Sequence, residues 1–191
     1  AVYGKTIENP DTDITEESPL ATDGFLTKVG IENEKTVNKL KNLTRLVYLR
    51  TGIVLDADEG ALPQMVMPYK FFIGGPIGNG RQWSSWIHIK DEVRAIKFLI
   101  DHKQCEGAYN LTAPVPVTNA VMAKAIGKVL NKPAVIHTPA FMLKLMLGEM
   151  ADELLLNGVK VLPKRLLATE FRFVYETIDS ALKDIFKQTK L

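Results

Sequence analysis

Residues 44–55 read TRLVYLRTGIVL. The run is rich in β-branched and aliphatic side chains, over a length that suits one strand buried on both faces, as in a parallel sheet. Arg50-Thr51-Gly52 interrupts it, at a place where a crevice could open. Upstream, Thr22 or Asp23 is placed to cap a helix running to about Asn42, with Phe25, Val29, Val37 and Leu40 at helical spacing and Gly30 a weak point inside. Before that helix, residues 5–20 are polar and turn-rich and read as a long surface loop. Downstream, residues 60–69 predict a short helix broken by Pro63 and Pro68, and residues 87–89 an extended run. A helix opened by Asp91 follows, with Val93, Ile96, Leu99 and Ile100 on one face. Residues 108–111 predict a strand, Thr118 caps a helix bearing Val121, Met122, Ala125, Ile126 and Val129, and residues 134–136 predict a short strand. The tail continues with helices over 139–156, a turn at Asn157-Gly158, a short helix near Leu166, a strand over 171–175 and a closing helix capped by Thr177. Strand and helix alternate throughout, which predicts an α/β architecture with a largely parallel sheet.

Composition bounds what such a fold can do. With 191 residues, 46% hydrophobic and 24% charged, the chain can bury a sizeable core. Its formal charge of +2 comes from dispersed basic residues, so nucleic acid is not an expected partner. Cys105 is the one cysteine, which excludes an intramolecular disulfide and suits a reducing, cytoplasmic setting. No run approaches the roughly 18 apolar residues of a membrane span, and the opening residues have no signal-peptide pattern. Ala1-Val2-Tyr3-Gly4 reads like the end of a buried strand, so the numbering is expected to begin inside a longer polypeptide.

Among motifs, metal is the first to go: His88, His102 and His137 stand far apart, none with a second ligand at metal spacing. Neither a Gly-x-Ser-x-Gly elbow nor a phosphate-binding Gly-x-x-x-x-Gly-Lys loop is present. The glycine cluster over 74–80 is not a dinucleotide fingerprint, because it neither follows a long strand nor opens a helix. Residues 81–91 carry more information, with Arg81, Trp83, Ser84, Ser85, Trp86 and His88 in close succession. Either both indoles pack on the following helix, or the segment walls a pocket, with aromatic faces for a planar or sugar-like ligand and Arg81 for an anionic group.

The blocks LRTGIVL (49–55), GALP (60–63), GGPIGNGRQWSSWIHIKD (74–91) and YNLTAP (109–114) closely resemble an atypical branch of the extended short-chain dehydrogenase/reductases, the NAD-dependent epimerase/dehydratase or nucleoside-diphosphate-sugar epimerase family proteins. The tail, with LGE (147–149), LLLNG (154–158), VLP (161–163) and FRF (171–173), looks like the C-terminal domain of that branch. The resemblance implies a Rossmann-type parallel sheet, partial here, plus a smaller C-terminal α/β substrate domain. Residues 1–60 would close the NAD(P)-binding domain, and 61–191 would form the substrate side and the C-terminal domain, with some elements returning to the Rossmann sheet. The glycine-rich cofactor loop would precede Val2, making this chain a fragment that is inactive alone.

On that resemblance, Tyr3, Arg50, Thr51, Gly52 and Ile53 border NAD or NADP in the intact protein, and Arg81, Trp83, Ser84, Trp86 and His88 face a small, sugar-like substrate. Two departures matter. The family's Tyr-x-x-x-Lys pair aligns with Phe25 and Val29, with Lys28 displaced by one, so no catalytic residue is assigned. Ser84 stands where sugar-nucleotide epimerases place an arginine on the substrate diphosphate, and a serine supplies neither the charge nor the fork. The implied function is an NAD(P)-dependent oxidoreductase of epimerase/dehydratase type. The alternative is a non-catalytic dinucleotide-binding or regulatory protein on the same fold. A homo-oligomer is expected, because the sheet without its first strands presents an apolar edge.

Overall fold

A computed structural model of the chain describes residues 11–19, 25–137 and 158–188. The fold is mixed α/β with parallel strand pairs. Helix α1 spans Phe25–Asn38. The stretch at 44–55 becomes two short strands, β1 (Val47–Thr51) and β2 (Ile53–Leu55), broken at Gly52. Helix α2 (Ala61–Lys70) follows, then β3 (Trp83–Ser84), β4 (Trp86–His88) and helix α3 (Ile89–Asp101). Next come β5 (Gly107–Leu111), β6 (Val117–Thr118) and helix α4 (Asn119–Leu130), and finally the short helix α5 (Lys164–Leu167) and helix α6 (Ile178–Gln188).

The break at Gly52 organises the sheet. Before it, β1 pairs in parallel with β5; after it, β2 pairs in parallel with β4. Gly52 N donates to Leu111 O at 3.0 Å and Ile53 N to Ser85 O at 2.8 Å, while Ala113 N donates to Trp86 O. Strand β4 therefore bonds both neighbours where they part, and occupies the gap that the sequence marks as a crevice. A Cβ on Gly52 would lie 2.5 Å from Ser85 O and 2.9 Å from Thr112 Cγ2, so only glycine lets the strand lie against the Ser85 carbonyl and the Thr112 methyl.

Period-two alternation along β4 feeds two cores. Trp86 enters one with Leu55, Leu62, Val66, Met122 and the α6 residues Ile178 and Leu182, while Ile87 enters the other with Ala95, Leu99, Leu111, Phe171 and Phe173. The ends of α3 are well defined. His88 Nδ1 accepts from Lys90 N at 3.0 Å, Asp91 and Glu92 sit in the first turn, and Arg45 donates to the carbonyls of Leu99 and Ile100 at the other end. Helix α4 starts at the expected cap, Thr118, whose Oγ1 accepts from Val121 N, and stops at Asn131 with φ 53°. Thr177 Oγ1 likewise accepts from Ser180 N where α6 begins.

Several expectations change. Strand β1 is half-buried, with Leu49 37% exposed, instead of buried on both faces. The face that α3 turns inward carries Asp91, Glu92, Ala95 and Leu99, while Val93 and Ile100 are exposed, so apolar character alone misorients the helix. On α1, Val29 and Val37 are also exposed, and the helix is held by polar contacts. The predicted broken helix is the continuous α2, Ala61–Lys70, which contains Pro68. Residues 134–136 and 171–175 are irregular instead of strands, since Asp91 and other side chains satisfy the latter segment's amides. The helices predicted over 139–156 and the cap at Thr22 or Asp23 lie outside the described residues.

Residues 11–19 of the predicted surface loop fold down as a strap. Ile14 is buried, its N–H bonds Lys160 O at 2.8 Å, and Leu162 N bonds Ile14 O at 2.8 Å. Lys160 pairs with Asp13 and Lys164 with Glu17, each at 2.7 Å. Glu16 accepts from Asn110 N and Arg165 N, and the Arg165 guanidinium donates to Ala108 O and Glu106 O, so side chains cover the free edge of β5.

Candidate functional site

The C-terminal end of β1 and the tryptophan segment are neighbours. Tyr3 lies outside the described residues. Arg50 is held in a two-pronged ion pair, its Nε and Nη2 each 2.8 Å from a Glu34 carboxylate oxygen on α1, and that bond pushes the guanidinium pKa up. The same pair fastens α1 to the strand. Thr51 points to the opposite face of the sheet, where its Oγ1 donates to Glu92 Oε1 at 2.9 Å. Glu92 is 7% exposed and its Oε2 has no hydrogen-bond partner. Burial raises the pKa of this carboxyl, an effect that the Thr51 hydroxyl partly offsets. Gly52 and Ile53 complete the strand end, Ile53 packing against the Trp86 core.

In the tryptophan segment, Arg81 is exposed and its N–H is turned onto Asn79 Oδ1 at 2.9 Å. Trp83 is half-buried. Its Nε1 donates to Asp11 Oδ1 at 2.9 Å, and Lys160 Nζ stands 5.1 Å over the ring. Gly158 packs directly on the Trp83 carbonyl, leaving no room for a side chain. Ser84 is buried on β3, opposite Val117. The Ser85 hydroxyl donates to Val159 O at 2.8 Å and accepts from Val161 N at 2.9 Å, which ties the strap's partner segment to β4.

Trp86 and His88 are not surface groups. Trp86 is 0% exposed and its Nε1 is unpartnered inside the core. His88 is buried, its ring stacked on Tyr175 with centroids 3.8 Å apart and planes 15° apart. Its Nε2 comes within 3.4 Å of Asp184 Oδ2 without the alignment of a hydrogen bond. Desolvation outweighs the pull of Asp184, so the imidazole pKa is lowered and the ring is neutral near pH 7. Asp184, drawn to Lys90 Nζ at 2.8 Å, has its pKa lowered.

The structure therefore joins Thr51, Gly52 and Ser84–Ser85 in one locality, keeps Trp83 and Arg81 accessible, and seals Trp86 and His88 away. Glu92, Glu34 and the strap's acidic residues escape a reading of apolar spacing. For Glu92 the signal was its place one helical turn before Ala95 and two before Leu99, on the inward face. Among the described residues no group of three or more His, Cys, Asp or Glu side chains could hold a metal ion, and no helix is long and apolar enough to cross a membrane.

Comparison with known proteins agrees with the motifs. A family described as a domain of unknown function (DUF1731) matches residues 138–185. The chain is 40% identical over 164 residues to an epimerase family protein of Staphylococcus epidermidis, covering 85% of this chain and 54% of that protein. It is 36% identical over 190 residues to the epimerase family protein YfhF of Bacillus subtilis, covering 99% of this chain and 61% of that one. The chain thus spans little more than half the length of these relatives. The crystal structure of the human epimerase family protein SDR39U1 (isoform 2) with NADPH superposes with a TM-score of 0.89 at 31% identity, covering 97% of this chain and 63% of that one.

Proposed function

From a chain that shares the sequence and fold of epimerase family proteins, we propose the nicotinamide-end and substrate-side portion of an NAD(P)-dependent oxidoreductase of epimerase/dehydratase type, acting on a small polar, sugar-like substrate. One observation carries the reading: Gly52, at the end of a parallel strand, meets Ser85 of the tryptophan segment backbone to backbone. This joins the strand end, where open α/β sheets bind dinucleotides, to the segment that offers an aromatic ring and a free cation.

The residues present fit the nicotinamide end of a dinucleotide. Beside Gly52 a buried acid, Glu92, holds the strand end through Thr51 and keeps one oxygen without a hydrogen-bond partner. The bound dinucleotide would supply hydride transfer. Around it, Thr51 would hold the strand end and Trp83 would give the substrate an apolar face. Arg81 would meet anionic substituents, although as one exposed side chain it does not replace the forked clamp that a diphosphate requires. Arg50, occupied by Glu34, would fix α1, and Trp86 with His88 would support the wall from behind.

A second reading has its own observation. Helix α1 reads FLTKVGIENEKTVN, with Phe25 and Val29 in the Tyr and Lys places of the usual proton relay. A protein that binds the dinucleotide as a sensor or regulator, without turnover, fits that change. The test is thermal stabilisation of the natural full-length protein by NAD, NADH, NADP and NADPH, together with cofactor absorbance over a panel of sugars and carbonyl compounds. Stabilisation with turnover supports the enzyme, stabilisation alone the sensor, and no stabilisation overturns both. We also propose self-association of the isolated chain, supported by the exposed Leu43 and Leu49 beside β1; light scattering giving a monomer would refute it.

A further inference from the structure

Among the described residues three buried side-chain atoms lack hydrogen-bond partners: Trp86 Nε1, His88 Nε2 and Glu92 Oε2. The first lies in an apolar core and the second beside Asp184 under the Tyr175 ring, so each has a packing explanation. Glu92 has none. A carboxyl that is 7% exposed with a single hydrogen bond is costly as an anion and is retained at a helix's inward face only at a loss of stability. Leucine would pack there without that loss, since Ala95 and Leu99 on the same face are already in the core.

What Glu92 holds is informative. Its one bond reaches Thr51, the last residue of β1 before the chain changes strand partner at Gly52. On the other face of the sheet Arg50 is clamped by Glu34, so consecutive residues at the strand end are fixed in opposite directions by carboxylates from α1 and α3. The Arg50 clamp is charged and partly open to water, whereas the Thr51 clamp is buried. With Thr51 gone from that grip, nothing on the α3 face holds the strand end by a polar contact among the described residues.

We propose that Glu92 is a positioning residue of the dinucleotide site: through the Thr51 hydroxyl it fixes the end of β1 at Gly52, where the cofactor's nicotinamide end is received. This rests on the reading of the preceding subsection. Glu92 does not touch the ligand in this account; its effect passes through Thr51.

The test uses the natural full-length protein and its NADPH and NADH dissociation constants, measured by nucleotide fluorescence, alongside the melting temperature without nucleotide. Thr51→Val and Glu92→Leu are each expected to weaken binding about tenfold, the order of one hydrogen bond's net contribution. The double variant is expected to be no weaker than either single one, because both remove the same bond. Glu92→Gln keeps a carbonyl oxygen for the Thr51 hydroxyl and is expected to bind within about threefold of the parent. Affinities that stay at the parent value in Thr51→Val and Glu92→Leu while only the melting temperature moves would overturn the proposal. Additive losses would overturn it too. Should Glu92→Leu fail to fold, Thr51→Val against Glu92→Gln decides. If the parent protein binds no nucleotide at all, the functional reading fails first and this inference with it.

Discussion

The strand end around Thr51 and the tryptophan segment around Trp86 touch through Gly52 and Ser85, yet they treat their polar groups in different ways. At the strand end the polar side chains are gripped by carboxylates, Arg50 by Glu34 and Thr51 by Glu92, and one buried oxygen is left over. In the tryptophan segment the aromatic groups are consumed by packing: Trp86 disappears into the core, and His88 is sandwiched against Tyr175 and capped onto α3. Only Trp83 and Arg81 remain available there. Two stretches of equal chemical promise thus divide into a fixed polar end and a structural wall, and the division follows from where β4 inserts.

That contrast can be broken most forcefully at Trp86. Replacing it with alanine should cost about 3–5 kcal/mol, the range for emptying an aromatic site in a packed core, read from urea denaturation; a loss below about 1 kcal/mol would mean that the indole is not part of the core. Next is Asp91, fully buried, which accepts from Val174 N, Tyr175 N and Arg94. Asp91→Ala strands two backbone amides and a cation and should cost about 3 kcal/mol. Loss of ligand binding with unchanged stability would move Asp91 from the wall into the site.

Trp83→Ala should lower stability by no more than about 1 kcal/mol, since the ring is half-buried and its indole bond goes to an exposed aspartate. If the functional reading holds, substrate affinity should fall far more than stability, and equal penalties at Trp83 and Trp86 would erase the distinction between the two regions. The pH dependence gives a finer cut. His88 has a folded-state pKa below its ordinary 6.5, so the folded protein resists protonating it. Its contribution is present above about pH 6.5 and is lost as pH falls through the lowered value. Glu92 runs the other way: its raised pKa favours the fold below its ordinary 4.5, and that advantage is lost as pH rises through the raised value. Between pH 4 and 8, the unfolding free energy should therefore lose its slope just below pH 6.5 in His88→Gln and its slope just above pH 4.5 in Glu92→Gln. Unchanged slopes in both variants would refute the burial argument. The smallest effect is expected at the strap, where Lys164→Ala removes an exposed pair with Glu17 and should stay within about 0.5 kcal/mol.

Local chemistry by itself determined the α/β alternation, the caps at Thr118 and Thr177 and the strand break at Gly52, because caps, breaks and spacing act through neighbours along the chain. Helix α3 marks where that reasoning stops. Its apolar residues pointed one way, but the burial of Asp91 and Glu92 turned it another, since the amides of 174–175 and the Thr51 hydroxyl offered those carboxyls partners from distant parts of the chain. The same holds for the two tryptophans: their spacing is visible in the sequence, while which one is sealed depends on β4 lying between β2 and the segment at Ala113 that follows β5. Burial of a polar or aromatic side chain is decided by the group it meets across the fold, and only the tertiary structure supplies that partner.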